Sequence, residues 1–435
     1  MMTWRCVQNG AREHYAIPRA LNRSGRLETL FTEFWAGPVL RHLAFGPLRP
    51  LATRFHPELS SAHVVSWTWK TVCREIQVSG LRFQVSADSY ACFIRDGRWF
   101  SVNIRDYLVR HETDVRGKVI FSYDTTALEL FRWAKERGAF CVLGQMDPGR
   151  MEMEQVREEE KRWPRWTVQS SEVSSPLSVV RGQRSAVGDS LNAYFQRREQ
   201  EWELADVILV NSRWSFDALV QQGVPAEKLV VIPLCFENRS QKSEVGSQKS
   251  ESSTSSLQLS TSHPLRVLFL GQVNVRKGIQ YLVAAAKLLE NEPVQFDVVG
   301  KIGISAEAVK SAPDNMTFHG PVSRDRVAEW YERSDVFVLP TLSDGFALTQ
   351  LEALAHGLPV IATHNCGEVV TDGVDGFVVP ARDPDALAQA IRRFLAEPGL
   401  LERQRTAALE KSKHFTLDKL AERLAALEDK LRLET

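Results

Sequence analysis

Asp344 and Glu352 stand eight residues apart, and the basic pair Arg276-Lys277 precedes Gly278 in an earlier loop. Eight residues of helix rise by roughly 12 Å at about 1.5 Å each. Acids so placed reach opposite ends of a bound diphosphate ester, while backbone N–H groups at a helix start hold its middle. Two cations can neutralise a diphosphate, and a glycine beside them permits close backbone approach. Each feature alone also fits a plainer reading: a solvated loop aspartate, a surface glutamate, a solvated basic loop. Their coincidence at two strand-to-helix junctions favours an anion site.

The elements that must position these residues are legible from periodicity. Asp335–Leu339 reads as a buried strand running into Pro340 and a short polar loop. After Asp344-Gly345, the residues Phe346, Leu348, Leu351, Leu354 and Ala355 recur at helical spacing. His356-Gly357 stops that helix, with Pro359 just beyond and a strand at Pro359–Ala362. The basic loop lies between the strand Arg266–Leu270 and a helix from Gly278 to Glu290. Strands are also expected at Phe296–Val299, Met316–Phe318 and Gly376–Val379, with a helix to Glu332 capped by Ser323. Asp383-Pro384-Asp385 has the look of a metal motif, but it opens the helix Ala386–Leu395 and reads as N-cap chemistry. Leu417–Leu433 is a final amphipathic helix.

The first half begins with a strand at Trp4–Gln8, a loop at Asn9-Gly10 and a helix over Arg12–Asn22. Residues 28–112 are aromatic-rich without clean periodicity, and His42, His56, His63 and His111 lack metal-ligand spacing. From Lys118 the pattern alternates: strand Lys118–Ser122, helix Thr126–Arg137, strand Ala139–Leu143. Such alternation implies a parallel sheet, whose ligand-bearing loops follow the carboxyl ends of the strands. That puts Ser122-Tyr123-Asp124, and Gln145 and Asp147 within Gly144–Gly149, on the functional edge. Glu152–Trp163 is a heavily charged helix, and residues 167–190 form a Ser-rich extended loop. A helix over Ser190–Ala205, a strand at Val207–Val210, a helix capped by Ser212 and a strand at Leu229–Ile232 follow.

At 435 residues the chain has room for two cores. Lys plus Arg total 54, as do Asp plus Glu, so no global field draws the chain to nucleic acid. Residues 1–56 hold a local excess (Arg5, Arg12, Arg19, Arg23, Arg26, Arg41, Arg49, Arg54) that suits a solvated face, a phosphorylated acceptor or an anionic membrane surface. The six cysteines form no CxxC pair and read as reduced thiols. No signal-like apolar stretch follows Met1 and no run is long enough to span a bilayer, so a cytoplasmic protein, at most peripheral on a membrane, is expected. Residues 238–264, with SQKSE twice, read as a flexible linker between residues 1–237 and 265–415, with 416–435 as the closing helix.

GQVNVRKG (271–278), FHGPV (318–322), LPTLSDGFALTQLEALAHGLPVIAT (339–363) and DGVDGFVVP (372–380) occur in this order. With them the sequence resembles the retaining family-4 glycosyltransferases, glycosyl transferases group 1, of the GT-B fold. EWELADVILVNSRWS (201–215) and GVPAEKLVVIPL (223–234) are similar to the segments by which that family approaches its second lobe. The resemblance covers most of 201–435; residues 1–200 match in architecture. It implies an α/β protein with two Rossmann-like, doubly wound lobes facing a central cleft. The N-terminal lobe would take the acceptor and the C-terminal lobe the donor, with the last helix returning to the first lobe.

By resemblance, Asp344 faces the donor sugar and Glu352 holds the ribose hydroxyls. Gly345, Phe346, Ala347 and Leu348 give backbone contacts, Gly271 and Val322 line the donor side, and Arg276 and Lys277 stabilise the departing diphosphate. Gly10, Gln145 and Asp147 are the acceptor-side candidates. The implied activity is retaining transfer of a hexose from a nucleotide sugar to an acceptor hydroxyl, with no metal or other cofactor. Three positions depart from the family: Asp344 replaces a glutamate, Gln272 stands where many members have an arginine, and Gln145 and Asp147 follow the strand after which a histidine is common. These departures motivate an alternative, a non-catalytic nucleotide-sugar-binding or scaffold protein, and a third reading is a GT-B epimerase or phosphorylase.

Overall fold

A computed structural model describes residues 2–37, 54–68, 70–71, 89–167, 184–237 and 263–433. The expected linker, Cys73 and most of the Ser-rich loop lie outside these residues. The chain divides into two compact units. Unit 1 comprises Met1–Met151, Ser174–Leu234 and Leu417–Thr435, and unit 2 comprises Glu152–Val173 and Cys235–Thr416.

Unit 1 is built on a parallel sheet of seven strands: β1 (Trp4–Gln8), β2 (Leu27–Thr32), β3 (Val64–Ser66), β4 (Val119–Tyr123), β5 (Phe140–Gly144), β6 (Val207–Val210) and β7 (Leu229–Val231). Their order across the sheet is β3-β2-β1-β4-β5-β6-β7, so the direction of winding reverses between β1 and β4. Continuous apolar runs such as Val-Ile-Leu-Val in β6 are buried along their whole length, as a sheet covered on both faces requires. The helices that follow in the chain are α1 (Ala16–Arg23), α2 (Ser89–Arg110), α3 (Leu128–Lys135), α4 (Arg150–Arg162), α5 (Arg184–Leu204) and α6 (Arg213–Gln221). Phe100, Ile104, Phe131, Trp133, Leu143 and Trp202 meet in one core between helices and sheet. Ser212 caps α6 by accepting from the Ser215 N–H at 3.1 Å, as its position predicts.

The expected helix over Arg12–Asn22 starts later, at Ala16. Glu13, His14 and Tyr15 have φ of 49°, 53° and 60°, three successive left-handed residues. L-residues adopt that conformation at roughly 1–2 kcal/mol each. The region that lacked clean periodicity contributes β2, β3 and α2, with Trp67 against Phe31 and Phe100. Arg5, Arg19, Arg23, Arg26 and Arg54 of the basic N-terminal stretch are paired within unit 1, with Glu28, Glu58, Glu58, Glu428 and Glu33. Glu28 and Glu33 belong to the same stretch and Glu58 lies just beyond it, whereas Glu428 comes from the last helix.

Unit 2 carries six parallel strands: β8 (Leu265–Leu270), β9 (Val294–Val299), β10 (Met316–Gly320), β11 (Val336–Leu339), β12 (Val360–Thr363) and β13 (Gly376–Val379). The order β10-β9-β8-β11-β12-β13 repeats the same winding, with its reversal between β8 and β11. Its helices are α7 (Ile279–Leu288), α8 (Ala306–Lys310), α9 (Val327–Glu332), α10 (Thr349–Ala355), α11 (Pro384–Ala396) and α12 (Leu400–Ser412). Ile279, Leu282, Val338, Ile361, Leu387 and Ile391 share the core. Asp383 caps α11 through the Ala386 N–H at 2.8 Å. Ser323 caps nothing with its side chain; a short 3-10 turn over Arg324–Arg326 intervenes before α9.

The last helix, α13 (Leu417–Leu433), belongs to unit 1. Leu417, Leu420, Leu424, Leu427 and Leu431 are buried at helical spacing. Its buried Glu428 accepts from Trp4 Nε1 at 2.9 Å and from Arg26 Nε at 3.0 Å. Most of α4 belongs to unit 2, where Glu159 is fully buried between Tyr281 and Arg382. Among the described residues, no helix is long and apolar enough to cross a membrane.

Candidate functional site

In a doubly wound sheet, ligands gather where the strand order reverses, outside the carboxyl ends of the strands. In unit 2 that point lies between β8 and β11. The loop after β8 holds Gly271–Gly278, and the loop after β11 holds Pro340–Leu348. Hydrogen bonds stitch the two together: the Leu342 N–H donates to the Arg276 carbonyl at 2.8 Å, and Thr341 Oγ1 to the same carbonyl at 3.3 Å. Gly278 makes the approach possible. Its φ of 73° suits glycine, and a Cβ there would run into the Pro340 carbonyl.

This stitching brings Arg276, Lys277 and Asp344 to one place. Lys277 Nζ donates to Asp344 Oδ2, and Arg276 Nη1 lies 3.5 Å from the same oxygen. Asp344 Oδ1 accepts from the Phe346 N–H at 3.1 Å, and the Asp344 N–H donates to the Asn365 carbonyl at 2.9 Å. Burial pushes the Asp344 carboxyl up, but Lys277 and then Arg276 outweigh it and hold its pKa at about 2. Asn274 sets the loop beneath them, its side chain accepting from the Lys277 N–H at 3.0 Å. Gln272 lies in the same loop and accepts from Asn274 Nδ2 at 3.4 Å.

A residue that sequence reasoning passed over completes this cluster. Glu152, on α4, stands 3.5 Å from Arg276 Nη1 and accepts from Ser343 Oγ at 2.8 Å. The sequence marks it only as one acid of a charged helix, with no signal that it faces Arg276.

The helix after Asp344 differs from expectation. It is seven residues long and begins at Thr349, because Ala347 turns left-handed with φ of 64°. Phe346 therefore leaves the helix face and packs near Phe415, ring centroids 6.4 Å apart. Gln350 holds the loop from inside, donating to the Phe346 carbonyl at 2.8 Å. The corner at Gly345–Leu348 is thus a braced loop, with its backbone N–H groups set by Ala347 and Gln350.

Glu352 lies within α10 and accepts from Tyr331 Oη at 2.8 Å. Burial raises its pKa, against the pull of Tyr331 and Arg324. Val322 is half-buried in the loop after β10, and Gly271 is the first residue after β8.

The acceptor-side candidates fall at the equivalent reversal in unit 1. Gly10 turns the chain after β1 with φ of 79°. Gln145 is buried; its side chain donates to the Asp147 carbonyl at 3.0 Å and accepts from Trp202 Nε1 at 2.9 Å. Asp147 Oδ1 accepts from the Gly149 N–H at 2.8 Å and from Arg198 at 2.7 Å. Arg198 also meets Asp124 at 2.9 Å. Burial lifts Asp124 to about 6 despite Arg198, with Asp147 adding to the rise.

Residues 264–397 match the family described as glycosyl transferases group 1. A D-inositol 3-phosphate glycosyltransferase of Streptomyces griseus is 34% identical over 172 residues, 35% of this chain and 36% of that protein. Another so named, from Xylanimonas cellulosilytica, is 29% identical over 273 residues, 59% of this chain and 65% of its own. The chain thus matches less than two thirds of the length of these relatives. Sucrose-phosphate synthase from Thermosynechococcus elongatus superposes with a TM-score of 0.59 at 17% identity, over 100% of each chain. Anabaena HepE in complex with UDP gives 0.56 at 15%, over 99% of this chain and 100% of that one. The two doubly wound sheets are those of the GT-B fold.

Proposed function

From the match of residues 264–397 to the glycosyl transferases group 1 family, we propose retaining transfer of a hexose from a nucleotide-diphosphate sugar to an acceptor hydroxyl. The observation that carries this reading is the convergence of Lys277 and Arg276 on Asp344 where the winding of unit 2 reverses. Two cations there suit a diphosphate, and a carboxylate held ionised by them suits a sugar that gains positive charge as the bond to the diphosphate breaks.

The proposed sequence uses this chain's own groups. The diphosphate takes Lys277 and Arg276 as partners, exchanging their contact with Asp344 and Glu152 for contact with phosphate oxygens. Glu352, beside Tyr331, accepts hydrogen bonds from the ribose hydroxyls. As the anomeric C–O bond breaks, the electron pair goes to the diphosphate, where the two cations stabilise it. The acceptor hydroxyl attacks from the face the diphosphate leaves, and its proton passes to the departing phosphate oxygen. Charge neutralisation by Lys277 and Arg276 makes a metal ion unnecessary in this scheme.

UDP is the donor nucleotide to try first, because Anabaena HepE, of the same fold, forms a complex with it. At a hundred times its dissociation constant, UDP should add about 2.7 kcal/mol to stability. Lys277→Ala should remove that gain and lower turnover of UDP-glucose by at least about a hundredfold, an amount typical of one electrostatic group. Full turnover in Lys277→Ala and in Asp344→Ala together would sink the reading. Binding of UDP-sugars with no turnover across an acceptor panel would instead favour the non-catalytic alternative.

A further inference from the structure

The cations at the reversal point of unit 2 are already matched. Lys277 and Arg276 face two carboxylates, Asp344 from the loop after β11 and Glu152 from α4. Asp344 belongs to the stitched loops themselves, where its carboxylate accepts from the Phe346 N–H and its own N–H donates to the Asn365 carbonyl. Glu152 does not. It reaches the cluster from a helix far earlier in the chain, so its presence there needs a cause of its own.

That cause is a stripe along α4. Glu152, Met153, Val156 and Glu159 share one face at helical spacing, and the last three are buried. Glu159 is the anchor: fully buried, it accepts from Tyr281 Oη and from Arg382 Nε at 2.8 Å. Trp163, one turn on, lies edge-on to the Tyr281 ring with centroids 5.8 Å apart. An acid so enclosed holds its partners firmly, because breaking the pair leaves a buried charge uncompensated. Glu152 stands two turns before this anchor, about 10 Å along the axis. The anchor thus fixes the register in which α4 presents Glu152 to Arg276.

At that end the grip is weaker. Arg276 Nη1 donates to the Ser343 carbonyl at 2.9 Å and stands 3.5 Å from Glu152 Oε2, beyond the roughly 2.7–2.9 Å of a charge-assisted bond. The same Glu152 oxygen accepts from the buried Ser343 hydroxyl at 2.8 Å. The Glu152 side chain is also 18% exposed. Rotation about its own bonds can therefore take its carboxylate to water while α4 stays anchored and the Ser343 carbonyl keeps Arg276 aimed.

A diphosphate entering this cluster meets cations already neutralised, and its charge repels both carboxylates at contact range. Its apparent affinity is then reduced by the fraction of molecules in which Arg276 is occupied. We propose that Glu152 is an internal competitor for the donor diphosphate, holding Arg276 in the empty site and returning to it as the diphosphate departs. This rests on the sugar-transfer reading for the identity of the ligand, but the competition is measurable without turnover.

Titration calorimetry on the full chain, with UDP and inorganic pyrophosphate as probes, tests it. Glu152→Gln keeps an acceptor for the Ser343 hydroxyl and removes the charge. It should tighten binding of both anions at least about tenfold, the gain expected if Glu152 holds Arg276 in about nine of ten empty molecules. In an Arg276→Ala background the same substitution should gain less than about threefold, because the two residues act as a pair. A structural role for Glu152 predicts the opposite sign, since a disturbed site binds anions less well. Binding of both anions that is unchanged, weaker or absent in Glu152→Gln overturns the proposal, as does an undiminished gain without Arg276. Tighter binding of both anions, with no turnover of UDP-glucose by either chain, upholds the competition and counts against sugar transfer alone.

Discussion

The two units share a winding order, yet their reversal points are electrostatic opposites. In unit 2, Asp344 is enclosed by protein and still ionises easily, with a pKa of about 2, because Lys277 and Arg276 face it. In unit 1, Glu13 is similarly enclosed but has one cation nearby, and its pKa rises to about 7. The same topology and the same type of group differ by how many cations stand opposite. Topology therefore chooses where a ligand can sit, and the loop residues choose its charge.

The largest test of this contrast is structural. Gly278→Ala should force the stitched loops of unit 2 apart and cost at least about 4 kcal/mol, read from denaturant midpoints at constant slope. An unchanged midpoint would mean the loops do not depend on that close approach.

Unit 1 has a different brace. Glu201, fully buried, accepts from the N–H groups of Thr125, Ala127 and Leu128 at 2.6, 3.0 and 3.1 Å. Glu201→Ala would leave those donors unpaired and should cost about 3 kcal/mol, with the loss appearing in hydrogen exchange of α3.

A smaller effect, and a sharper one, is the pH dependence. Asp344's folded pKa lies below its ordinary 3.8, so its contribution, about 2 kcal/mol, is present above pH 4 and disappears as pH falls towards 2. Glu13's folded pKa lies above its ordinary 4.5, so ionisation weakens the fold as pH rises from about 4.5 to 7. Asp344→Asn should flatten the acid limb of the stability profile and Glu13→Gln the limb towards neutrality. The two limbs responding to the wrong variants would refute the contrast.

The smallest effect concerns Ala347. Relief of its left-handed φ in Ala347→Gly should offset the added freedom of the unfolded chain, leaving stability within about 1 kcal/mol. A loss beyond that would show that the methyl group itself packs.

Much of unit 2 was legible because its strands are continuous apolar runs closed by glycine or proline, and because Arg276, Lys277 and Asp344 sit in such closing loops. The helix start at Thr349 was not. Phe346 and Leu348 keep helical spacing, and nothing in their identities announces the turn at Ala347. Glu152 was equally hidden, since its meeting with Arg276 is a tertiary contact with no local pattern.

In unit 1, Gln145 and Asp147 could be placed on the functional edge from alternation alone. Glu13 could not be singled out, because it reads as the first turn of a helix until the backbone is seen to wind the other way. β2 and β3 escaped because their aromatic surroundings blur the period of two. The fold class followed from alternation of strand and helix; which side chains share a cavity depended on loop conformations that alternation does not encode.

The chain leaves unit 1 within α4 and returns to it before α5, then leaves after Leu234 and returns again at Leu417. Neither unit is therefore a contiguous stretch of sequence. Expressed alone, residues 1–237 would lack the α13 leucines and Glu428, while carrying an orphaned Glu159 whose partners Tyr281 and Arg382 were left behind. The ribosome, likewise, cannot finish the first unit until the last helix has emerged, so synthesis completes the second core before the first is sealed.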